Sequence, residues 1–113
     1  MSFEELGNLA VSQGDLPAAA RHFTAGLKIR ERLAASDPAN AEWQRDLFYS
    51  YYVMGDLFTR QDQLRDALSM LEKSLQIAER LAASDPTNAT WEKDVRVSRR
   101  LVGDLRSRLS NAS

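Results

Sequence analysis

The chain has 113 residues, 43% of them hydrophobic and 27% charged, with a formal net charge of −1. That is the make-up of one folded domain with a modest core, and its even charge excludes a general attraction to nucleic acid or to acidic membranes. The absence of cysteine excludes disulfides, thiolate metal sites and a cysteine nucleophile.

The opening stretch MSFEELGNLAVSQGDL carries acids where a secretory signal is basic, and it lacks an apolar run. No segment approaches the roughly eighteen consecutive apolar residues of a membrane span. A cytoplasmic chain without membrane contact is the expectation.

The spacing of apolar residues predicts five helices and no strand. The first covers residues 2–13. In the second, 16–36, Leu16, Ala20, Phe23 and Leu27 recur at steps of three and four, one stripe of a helix. Gly14-Asp15 marks the turn before it, with Asp15 as N-cap. Its end is set by Pro38, which drives Asp37 out of the α region. Asn40 then caps the third helix, 41–60, whose stripe is Trp43, Leu47, Tyr51, Met54 and Phe58, with Glu42 near the positive end of the helix dipole. Asp62 is expected to cap the fourth helix, 64–84, which carries Leu64, Leu68, Leu71, Leu75 and Ala78 on one face. Pro86 ends it at Asp85 as Pro38 does at Asp37, and Asn88 caps the fifth helix, 89–109.

The segment RLAASDPANAEW at 32–43 returns at 80–91 as RLAASDPTNATW. The shift of 48 residues also carries Gly7 to Gly55 to Gly103 and Ser50 to Ser98, and it preserves 15 of 26 residues between 32–57 and 80–105. A repeat of this kind is a structural unit. The expected organisation is a single domain, 1–113, made of one repeat over about 1–40, a second over about 41–88, and a capping helix over about 89–109. Leu33 with Trp43, and Leu81 with Trp91, are expected to pack the corners around the two prolines.

Within each unit the first helix carries a large apolar residue, an apolar-Gly pair and a further large or apolar residue: Tyr51, Met54-Gly55 and Phe58, preceded by Phe3, Leu6-Gly7 and Ala10. The second helix carries a small, a large and a small residue: Ala67, Leu71 and Ser74, preceded by Ala19, Phe23 and Gly26. This pattern resembles the tetratricopeptide repeat over nearly the whole chain, in a variant extended from about 34 residues by roughly two turns per helix. The resemblance implies an all-α fold, a right-handed superhelix or α-solenoid of antiparallel helix pairs, with two full repeats and a C-terminal capping helix.

Two ends of the chain differ in character. The 48-residue shift turns Phe48, Tyr51, Tyr52 and Phe58 into Arg96, Arg99, Arg100 and Arg106. A terminal helix without a neighbour needs polar residues, so these read as a solvating cap before they read, with Arg108, as a polyanion or RNA contact. The first helix lacks everything equivalent to Ala41 through Tyr49, so either the start is truncated relative to a longer repeat array or the flank of 16–36 and 41–49 is covered by something else; self-association through that flank is one expectation.

No catalytic or metal-binding set emerges. His22 is the only histidine, no Gly-x-Ser-x-Gly turn or glycine-rich phosphate loop occurs, and Asp37, Asp46, Asp56, Asp85, Asp94 and Asp104 recur at repeat spacing as structural residues do. Neither enzyme activity nor a cofactor is expected.

The resemblance places partner binding on the concave face formed by the first helices. Counted from each glycine, the matching positions are Glu4 and Asn8, then Tyr49, Tyr52 and Asp56, then Val97, Arg100 and Asp104, with Arg60 and Arg108 one turn on. In the family a basic-and-asparagine clamp can hold a peptide carboxylate. Asn8 agrees with that clamp, whereas Glu4, Val97 and Leu101 occupy its basic positions, which disfavours it. The expected function is a non-catalytic scaffold for a protein or peptide partner, with homodimerisation as the alternative and nucleic-acid binding behind both.

Overall fold

Short polar side chains start four of the five helices. In the computed structural model, which describes residues 2–111, α1 runs Phe3–Ser12, α2 Leu16–Ser36, α3 Ala41–Arg60, α4 Leu64–Ser84 and α5 Ala89–Asn111, with no strand among the described residues. Ser2 Oγ accepts from the Glu5 amide, Asp15 from Ala18 at 3.1 Å, Asn40 from Trp43 and Asn88 from Trp91, both at 3.0 Å. Each satisfies an amide that the first helical turn leaves without a partner. Helices α2, α3 and α4 have the predicted bounds, α1 is a residue shorter at each end, and α5 runs two residues further. Asp37 and Asp85, each before a proline, sit at ψ 79° and 86° just past α2 and α4, outside the α region as expected.

The fourth start differs from expectation. Asp62 is not the cap of α4: it takes the left-handed conformation, φ 59°, and Gln63 precedes the helix without a side-chain capping bond. A shift of 48 residues explains the exchange. Asp62 stands where Gly14 stands, φ 76°, in the turn before α2, so the turn that needs a left-handed residue is the same and Asp is among the few non-glycine residues that accept it. Gln63 falls at the place of Asp15, and its longer side chain does not reproduce the cap.

Each helix packs on its neighbours in sequence, α1 on α2, α2 on α3, α3 on α4 and α4 on α5, which is the contact pattern of an all-α helical repeat. The main core runs from Ala10 and Phe23 through Leu47, Tyr51 and Leu57 to Leu81 and Val95; Leu71, Val102 and Leu105 join α4 to α5. Glycine sets the closeness of the pairs. A Cβ on Gly7 would stand 2.5 Å from the Phe23 ring and one on Gly55 2.6 Å from Leu71, while one on Gly103 would meet nothing within 4 Å because no helix follows α5 among the described residues.

The solvated end is tied down as well as exposed. Arg99 pairs with Glu79 at 3.2 Å and Arg106 with Glu72 at 3.1 Å, joining α5 to α4. The Arg99 pair repeats an earlier contact 48 residues back, where the Tyr51 hydroxyl donates to Glu31 at 2.8 Å. Burial, then that hydrogen bond and the Glu31 charge, push the Tyr51 hydroxyl up to about 12.

Candidate partner-binding site

The residues expected on the concave face divide into three groups. Asn8 of α1 and Tyr49, Tyr52, Asp56 and Arg60 of α3 converge on one cavity of about 180 Å³, floored by Val11, Phe23, Val53 and Leu57. The helical register causes this: 49, 52, 56 and 60 step by three and four along α3 and share a face. The two tyrosines are unlike. Tyr52 is half-buried and packs against both cores, its ring centroid 6.2 Å from that of Phe48, whereas Tyr49 is exposed. Arg60 and Asp56 pair at 3.1 Å on the surface, a contact of small energy that holds both heads beside the cavity.

Val97 belongs to a second hollow of about 220 Å³ between α3 and α5, shared with Arg45, Phe48, Tyr49, Tyr52, Lys93 and Asp94. Arg100, Asp104 and Arg108 are exposed on α5 and line none of these cavities. Glu4 does not line the cavity of Asn8: its carboxylate accepts from Arg30 of α2 at 2.8 Å, and the residue lines a third cavity.

That third cavity, about 230 Å³, lies between α2 and α3 beyond the start of α1 and is lined by Phe3, Ile29, Leu33, Trp43, Asp46, Tyr49 and Val53 among others. It corrects the expectation for the first corner. Leu33 does not pack it: Leu33 is 39% exposed while Leu81, its counterpart, is 7% exposed, and Ile29 is 43% exposed while Ile77 is 3%. The cause is the length of the covering helix, 10 residues in α1 against 20 in α3. Residues 41–50 of α3 overlie the second half of α4; among the described residues, α1 has no equivalent segment over α2.

Arg30 holds the floor of this groove together. Its guanidinium donates to Glu4, to Ser50 Oγ at 2.8 Å and to the Asp46 carbonyl at 3.1 Å. At the equivalent place α4 carries Ala78, and there Ser98 Oγ is buried with no hydrogen-bond partner among the described residues. The uncovered flank was legible in the repeat alignment. The roles of Ile29, Arg30, Leu33 and Asp46 were not, although an arginine aligned with a buried alanine was the available signal.

No helix among the described residues is long and apolar enough to cross a membrane. Residues 49–86 match the family model described as a tetratricopeptide repeat. No curated protein matches the chain.

Proposed function

We propose, from the premise that this chain carries a tetratricopeptide repeat, that it is a non-catalytic protein-interaction scaffold that takes a peptide or partner segment along its concave face. The observation that carries this reading is the convergence of Asn8, Tyr49, Tyr52, Asp56 and Arg60 on one cavity. An exposed tyrosine above an apolar floor, flanked by an amide and a paired acid and base, offers large contact area with fixed polar groups at its rim. Val97, Arg100, Asp104 and Arg108 extend the same face along α5. The chain needs no cofactor in this role and is read as cytoplasmic.

Screening a peptide library against the chain, with Asn8→Ala and Tyr49→Ala as controls, tests the reading. Both residues are exposed, so the variants keep the melting temperature of the parent while losing roughly tenfold or more in affinity for the selected peptides. Failure to select any peptide, together with a solution mass that rises with concentration, favours self-association instead. Ile29, Leu33 and Tyr49 are exposed apolar residues on the flank that such a homodimer would use.

A further inference from the structure

We infer that the groove between α2 and α3, which adjoins the concave cavity across Tyr49 and Val53, is a second docking site for an amphipathic helix of a partner polypeptide that carries a basic residue followed two and three positions later by large apolar ones. The inference presumes the protein-binding role proposed above and adds a site and an occupant to it.

The shape of the occupant is written in the chain itself. The corresponding groove between α4 and α5 is filled by the first half of α3, residues 41–50, where Leu47 and Phe48 are buried. Carried back 48 residues, that half-helix would lie over Ile29 and Leu33, continue the axis of α1 beyond Ser2, and extend for about 15 Å. The groove keeps the lining that such a helix needs: Ile29 and Leu33 match Ile77 and Leu81, and Trp43 and Asp46 match Trp91 and Asp94. The open groove differs in its floor as well, where Arg30 stands at the place of Ala78 and Tyr49 at the place of Val97.

Charge identifies the occupant further. Asp94, on the wall of the filled groove, pairs with Arg45 of the covering half-helix at 3.1 Å. Asp46, on the wall of the open groove, is exposed, and its carboxylate makes no ion pair among the described residues. Arg30 reaches only its backbone carbonyl. The acid therefore stands ready for a basic residue at the place of Arg45, and the apolar pair at the places of Leu47 and Phe48 follows from the same template.

The probe is a synthetic peptide of residues 39–50, ANAEWQRDLFYS, titrated into the ¹⁵N-labelled chain. Saturable shifts are expected at Ile29, Leu33 and Asp46 and not at Asn8 or Asp56. Leu33→Glu, at an exposed position that folding tolerates, weakens binding at least about tenfold by setting a charge in the apolar contact. Asp46→Lys weakens it by roughly twofold to fivefold, the range of an exposed ion pair. A peptide with Glu in place of Arg45 recovers that loss in the Asp46→Lys chain alone. Absence of shifts at about 1 mM peptide, a binding free energy weaker than about 4 kcal/mol, overturns the inference. So do shifts confined to Asn8, Tyr52 and Asp56, which would leave the concave-face reading standing. A dimer of the chain that Leu33→Glu dissociates would also overturn it, by assigning the groove to a second copy.

Discussion

Leu33 and Leu81 stand in the same pentapeptide, RLAAS, one turn from the end of helices of equal length, yet Leu81 is core and Leu33 is surface. Local sequence cannot account for that. The length of the neighbouring helix does: α3 is long enough to cover the second half of α4, and α1 is too short to cover the second half of α2. The two corners therefore form a natural control, in which one residue set is tested with and without its covering helix.

Substituting the pair is the largest test. Leu81→Ala removes a buried side chain and should cost about 2–5 kcal/mol by chemical denaturation, whereas Leu33→Ala should cost under about 1 kcal/mol. Equal losses would mean that the covering helix is not the cause of the difference. The glycines sharpen it at the other end of the chain. Gly55→Ala drives a methyl into Leu71 and should destabilise by about 1–3 kcal/mol, while Gly103→Ala, on an open helix face, should stabilise by about 0.5–1 kcal/mol. Opposite signs at one repeat position follow from the presence of a covering helix in one case alone.

Tyr51 supplies a test in pH. Its hydroxyl is held protonated in the folded chain up to about 12, against about 10 when unfolded. The folded pKa is the higher, so the contribution is complete below pH 10 and is lost as pH climbs from 10 towards 12. Stability measured across that window should fall less steeply in Tyr51→Phe than in the parent. The smallest effect belongs to the caps. Asp15→Ala should cost about 1 kcal/mol, and Gln63→Asp, at the uncapped counterpart, should gain a few tenths to about 1 kcal/mol.

Which features were legible follows from how far their causes lie along the chain. Helix ends at Asp37 and Asp85 depend on the next residue, and the caps at Asn40 and Asn88 depend on amides three residues away, so both could be read directly. Asp62 was misread because aspartate suits both an N-cap and a left-handed turn; only alignment with Gly14-Asp15 distinguishes the two. Tyr49, Tyr52, Asp56 and Arg60 share one helix face, so their convergence on one cavity follows from register alone. The Arg30–Glu4 pair joins residues 26 apart, and no local spacing announces it. The open groove needed the same long-range information, since nothing near Leu33 states how long α1 is.

Building a half-helix over Ile29 and Leu33 decides whether the covering helix is what separates the two corners. A variant with NAEWQRDLFYS, residues 40–50, placed immediately before Phe3 should extend α1 over Ile29 and Leu33. Each kcal/mol gained by their burial raises the melting temperature of a chain this size by roughly 4–8 °C, and a rise of at least that size is the predicted result. The same variant should no longer bind the peptide in trans. An unchanged or lower melting temperature, or undiminished peptide binding, would contradict the account.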